Sequence, residues 1–120
     1  MPARILILLL TLPGCFTSVY SERVGRPHDA FGADCPLEFD YDGDEARDRV
    51  VSEYPTQVGV LELAHIDGDD FRFTDEIKSK LRPAACKLGG ELVLYALWYP
   101  GSIATGKIGK FLVFRRKSPS

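Results

Sequence analysis

An apolar run of eight residues, Ile5–Leu12, broken only by Thr11, opens the chain and stops three positions short of a cysteine, Cys15. A helix that crosses a bilayer needs about 20 apolar residues, so this run is too short for a permanent span. With Arg4 before it, the run has the length and flanks of a removable export signal. The first 14 residues then take no part in the fold, and removing 14 of 120 residues leaves 106. A chain of that size makes one domain at most. Its core is small enough for a covalent cross-link to matter.

Leu12-Pro13-Gly14-Cys15 resembles the bacterial lipobox, a leucine and two small residues before the cysteine that receives diacylglycerol. Leu12, Gly14 and Cys15 fit, and Pro13 departs from the usual Ala or Ser. Small residues there let an extended backbone enter a membrane-embedded protease. A plain secretory signal cut near Ser18 or Ser21, or an uncleaved segment, is the alternative. The resemblance implies residues 1–14 as signal and Cys15 as a lipid-bearing N-terminus. Each buried methylene of its acyl chains would contribute about 0.8 kcal/mol of membrane affinity. Lipoprotein sorting in enteric bacteria retains an Asp after the cysteine in the inner membrane. Phe16 therefore points to the outer membrane, facing the periplasm.

Hydrophobic residues at 45% and charged residues at 27% are the balance of an ordinary soluble globule. The net charge of −2 hides an asymmetry. Residues 15–76 carry 16 acids against 5 Lys and Arg, whereas residues 77–120 carry one acid, Glu91, against 9. Either the two halves interleave and neutralise one another, or a basic face forms from Lys78, Lys80, Arg82, Lys87, Lys107, Lys110 and Arg115–Lys117. Such a face would suit anionic lipid, an anionic envelope polymer or an envelope protein. Nucleic acid is not an expected partner of an exported chain.

Thr17–Ala33 is polar, contains Gly25, Pro27 and Gly32, and has no sustained period, which reads as a lipidated tether over residues 15–34. One domain is expected over 35–117. Pro36–Tyr41 alternates apolar and acidic side chains like a half-buried strand. Residues 42–53 show only a weak helical spacing, Ala46, Val50 and Tyr54, and stay unassigned. Gln57–His65 reads as a second strand with Val58, Val60 and Leu63 inward, followed by a turn at Asp67–Asp70. Ile77, Leu81, Ala84/Ala85 and Leu88 predict a helix, capped by Thr74, with Asp75 and Glu76 at its positive end. Pro83 should kink or split it, and Gly89-Gly90 should end it. Glu91–Leu97 is a buried strand, Trp98–Lys110 a glycine-rich loop and Phe111–Phe114 the last strand. Strand–helix–strand between 58 and 97 implies a crossover and a parallel pair, with the last strand antiparallel. The expected fold is α+β, a small mixed sheet (β-β-α-β-β) with one main helix on one face.

The chain has three cysteines. If Cys15 is acylated, Cys35 and Cys86 remain as an even pair in an oxidising compartment, which favours a disulfide between them. The bridge requires the first two strands to run in the same direction; a simple hairpin would forbid it.

Other motifs are weaker. Gly101–Lys107 matches a phosphate-binding loop, but Ile108 stands where Ser or Thr must hold Mg²⁺ and a strand follows in place of a helix. Asp40, Asp42 and Asp44, with Asp67 and Asp69 of the second turn, are candidate Ca²⁺ ligands, although the glycine spacing is not that of an EF-hand. His28 and His65 have no neighbours spaced for zinc, and no Gly-x-Ser-x-Gly elbow exists. Trp98 and Tyr99 form an aromatic cluster, either packed or presented to a partner. No catalytic residue and no cofactor is implied.

Cys35-Pro-Leu-Glu-Phe39, then Tyr54-x-x-x-Val58-Gly-Val-Leu-Glu62, then Ala84-Ala-Cys86-Lys-Leu-Gly-Gly-Glu-Leu-Val93, resembles a family of small bacterial lipoproteins common in myxobacteria. Its helix–strand corner also looks like that of the Rcs outer-membrane stress-sensor lipoprotein and of small heavy-metal-binding-type domains. The chain departs from the pattern at Gly90-Glu91, where Ala-Asp is usual, and in a longer, more aromatic final loop. The resemblance covers about residues 35–97, implies a Cys35–Cys86 pair and a non-enzymatic envelope role, and supplies no catalytic residue. Two expectations follow. One is an anchored, partner-binding domain acting as sensor, adaptor or structural lipoprotein. The other is a small ligand- or metal-binding lipoprotein that uses the acidic turns.

Overall fold

The computed structural model describes residues 19–32, 34–64, 72–103 and 106–116. Cys15, Asp67, Asp69 and His65 lie outside the described residues. The elements are β1 (Val19–Arg23), β2 (Glu38–Tyr41), α1 (Asp44–Glu53), β3 (Thr56–Ala64), α2 (Asp75–Lys87), β4 (Leu92–Pro100) and β5 (Lys107–Arg115). They form an α+β fold around one mixed five-stranded sheet in the order β1-β3-β5-β4-β2.

β5 is the axis of this sheet, antiparallel to β3 on one side and to β4 on the other. β3 and β4 therefore point the same way, as the crossover reading requires, but β5 is inserted between them. β2 pairs with β4 in parallel at one edge, so the two strands flanking α1 also share a direction. β1 closes the other edge, antiparallel to β3 from Val19↔Leu63 to Arg23↔Gly59.

Three elements differ from the sequence reading. The segment expected as a tether contains β1, whose side chains are mostly exposed. Its place comes from backbone pairing with β3, which leaves almost no hydrophobic signal to read. Residues 44–53 form a helix, with Asp44 and Glu45 in its first turn and Ala46 its one buried residue. The span expected as a loop, Trp98–Lys110, is largely strand: β4 and β5 continue through Pro100↔Lys107, and Gly101 N–H closes the turn on Gly106 O at 2.7 Å.

The two helices cover opposite faces. Along β4 and β5, Val93↔Val113 and Tyr95↔Phe111 alternate with Leu92↔Phe114 and Leu94↔Leu112. The first set meets Leu81, Ala85 and Leu88 of α2 and its C-cap, together with Val58, Leu61 and Leu63. The second meets Ala46, Val50 and Tyr54 from α1 and its C-cap. This double coverage is why Leu92-Val-Leu94 is buried without alternation. On β3 the pairing slips between Gln57 and Gly59. Such a bulge inverts the inside–outside parity, so Leu61 and Leu63 face the core while Val60 is only half-buried.

α2 is capped as its sequence predicts: Thr74 Oγ1 accepts the Ile77 N–H at 3.2 Å. The helix runs unbroken through Pro83. At its end Gly90 N–H donates to Ala85 O and Gly89 N–H to Cys86 O, the paired bonds of a Schellman turn, with Gly89 at φ 81°. Gly90 is needed for a different reason, because a Cβ there would lie 2.2 Å from Val113 Cγ1.

Candidate functional site

Cys86, in the last turn of α2, is bonded to Cys35, three residues before β2, with the Cα atoms 5.8 Å apart. Both cysteines are buried. The surrounding backbone is held by the same two segments: Phe31 N–H donates to Cys86 O, Cys35 N–H to Gly32 O, and Arg82 Nη1 to Cys35 O at 2.8 Å. The bridge thus fixes the entry to an edge strand against the end of the main helix.

Just past that entry lies a polar cluster centred on Tyr54. Tyr54, at the C-cap of α1, is 1% exposed, and its hydroxyl donates to Glu38 of β2. Arg49 donates to the same carboxylate and lies 3.5 Å from Asp40. Arg116 Nη2 donates to the Tyr54 hydroxyl at 3.1 Å, while the Arg116 backbone N–H binds Glu91 at 2.9 Å. The Arg49 and Arg116 guanidiniums sit 5.5 and 5.3 Å from the Tyr54 ring centroid. Pro36, Leu37, Glu38, Tyr54, Glu91 and Arg116 line a pocket of about 340 Å³ here. The Tyr54 hydroxyl, then Arg49 and Arg116, hold the Glu38 carboxyl below its usual range despite partial burial. A carboxylate stabilised in this way stays ionised near neutral pH, which suits binding and scaffolding better than proton transfer.

The acidic residues singled out from sequence are drawn to arginines. Both oxygens of Asp42 accept from Arg47, at 3.0 and 3.1 Å, and this lowers the Asp42 pKa. Asp40 faces Arg49, and Asp44 begins α1. Among the described residues no three His, Cys, Asp or Glu come together in a way that could hold a metal ion. In Gly101–Lys107 the Gly101 N–H bonds Gly106 O, and Lys107 opens a strand in place of a helix.

Tyr99 and Trp98 lie on opposite faces of β4. The Tyr99 hydroxyl donates to Glu62, a contact that raises its pKa. Trp98 carries Lys107 Nζ at 4.7 Å from its ring. The cations expected as a basic face are mostly spread over separate rings. Lys78 and Arg82 sit over Phe39, Arg115 over Phe31 and Arg116 over Tyr54.

No family model matches the chain, and neither does any curated protein or solved structure.

A second surface feature lies beside α1. Val50 and Val51 of the helix, with Leu94, Leu112 and Phe114 of the sheet, line an apolar cleft of about 460 Å³ rimmed by Asp42 and Arg47. Val51 is 76% exposed. The sequence signal for this cleft was slight, because the helix that forms its wall shows one buried residue in ten.

Proposed function

We propose that this chain is a non-enzymatic, membrane-anchored envelope lipoprotein whose domain binds a partner, as sensor, adaptor or structural element. The observation that carries this reading is the buried Cys35–Cys86 disulfide. Stable disulfides belong to oxidising compartments. Pairing these two sulfurs leaves Cys15, at the end of a signal-like apolar run, as the single cysteine free for acylation. Two further features favour binding over catalysis. The polar cluster holds Glu38 as an arginine-paired anion, and the cleft beside α1 offers apolar surface with a charged rim.

The test is the intact mass of the mature protein with and without reductant, followed by photo-cross-linking from Val51 in cells. The expected mass starts at Cys15, carries acyl chains and gains two hydrogens on reduction. The cross-linker is expected to capture one reproducible envelope component. A mature chain that begins at Met1, or beyond position 15 without fatty acid, overturns the anchoring. Failure to capture any reproducible component overturns partner binding at this face.

A further inference from the structure

Three features meet at one end of the sheet. The register sets Val19 of β1 in a row with Leu63 of β3, Gly109 of β5 and Trp98 of β4. From that row the chain before β1 leads toward Cys15, and the β4–β5 hairpin runs outward in the same direction through Pro100 and Lys107. Four residue steps separate Val19 from Cys15, a reach of at most about 14 Å whatever path they take. The hairpin adds about 10 Å beyond the row, and β5 and β4 lie roughly 10 and 14 Å across the ladder from β1. A bilayer holding Cys15 by its acyl chains therefore comes within reach of the hairpin tip.

The hairpin, from that row to its tip, carries the side chains such a surface accepts. Ile103 is wholly exposed, at 106%, and Leu97 and Trp98 are 49% and 40% exposed on opposite faces of the hairpin. The Lys107 ammonium lies over the Trp98 ring. An aliphatic point flanked by an indole and a lysine is the pattern of groups that settle at the membrane–water interface.

We propose that the outer part of the β4–β5 hairpin, from Leu97 and Trp98 to Ile103, rests in the lipid interface beside the anchor, with these three side chains as the contacting groups. This rests on the lipoprotein reading and adds an orientation to it: the hairpin faces the membrane, and the disulfide and the Tyr54 cluster, at the far end of β4 and β5, face away. The contacting groups are an isoleucine, a leucine and a tryptophan, so the contact is apolar in origin and does not require anionic lipid.

Trp98 is the only tryptophan in the chain, so its emission reports on this hairpin alone. The acylated full-length product is purified from membranes and reconstituted into phosphatidylcholine vesicles containing lipid brominated near the top of its acyl chains. The expected result is a shift of Trp98 emission to shorter wavelength and quenching that persists at high salt. Ile103→Asp is expected to lose most of the quenching, and Val51→Asp, which removes an exposed apolar group of α1, to retain it. Acylation at Cys15 with unquenched Trp98, or equal quenching in Ile103→Asp, overturns the orientation and leaves the anchor standing. A mature chain without fatty acid removes the lipoprotein reading and this inference with it.

Discussion

Replacing both bridged cysteines by alanine tests how much of this small fold depends on one covalent link. The bridge joins residues 51 apart in sequence. In the chain-entropy model, closing a loop of that length restricts the unfolded state by about 4 kcal/mol. A domain of this size has a total stability of roughly 5–10 kcal/mol, so Cys35→Ala with Cys86→Ala is expected to leave it folded but marginal. With a urea m-value of about 1.5 kcal/mol per molar, the midpoint falls by about 3 M. The loss should also be uneven. β2 has four residues and one neighbouring strand, whereas β3, β5 and β4 are each paired on both sides. Native-state hydrogen exchange is expected to show the β2 amides exchanging first in the variant, with those of β5 still protected. A midpoint shift below about 1 M, or β2 amides that exchange no faster than in the parent, would refute the reasoning.

Two other perturbations follow from the packing and the charge cluster. Gly90→Ala places a methyl 2.2 Å from Val113 Cγ1 and 3.0 Å from Ala85 O. It should destabilise by about 1–3 kcal/mol in urea titration, and adding Val113→Ala should cost less than the sum of the two single changes. Glu38 titrates below its ordinary value of 4.5 when folded, so the unfolded chain binds its proton more readily. The stability Glu38 contributes is present above that value and is lost as pH falls through the lower folded pKa. Urea midpoints followed downward from about pH 6 to pH 3 should therefore fall less steeply in Glu38→Gln than in the parent.

The elements legible in the sequence are those whose own residues carry the burial pattern. α2 announces itself through Leu81, Ala85 and Leu88, a Thr74 cap and a glycine stop, and β4 through Leu92-Val-Leu94. The cysteine pair was readable because its even count and expected compartment left one partner for each sulfur. β1 was not readable, since β3 supplies its pairing and all of the strand's side chains but Val19 stay in water. α1 was hidden by its charge: a helix that buries Ala46 and then Tyr54 at its cap shows too narrow a stripe to separate from a loop. The Tyr54 cluster was beyond reach for a different reason. It gathers Glu38, Arg49, Glu91 and Arg116 from four segments, and no local spacing relates them.

The acidic text around β2 illustrates how a fixed cation can take the place a metal ion would fill. Glu38 and Asp40 alternate with Phe39 and Tyr41, so both carboxylates fall on one face of an edge strand, beside Leu92 and Leu94 in register. Read alone, Asp40 with Asp42 and Asp44 suggests ligands converging on a cation. The structure instead brings α1 across this face and sets Arg49 between Glu38 and Asp40, while Arg47 takes both oxygens of Asp42. These ion pairs are partly exposed and each contributes little to stability. Their effect is positional: with the disulfide at one end and the Phe73 N–H donating to the Tyr41 hydroxyl at the other, they hold in place a strand that four ladder positions would hold loosely. The same charges discourage a second chain from adding to the exposed edge. Carboxylates that are satisfied by the protein's own arginines give the domain a defined, charge-paired edge, and they leave its exposed apolar surfaces, the cleft beside α1 and the outer hairpin, for the partner and lipid contacts proposed above.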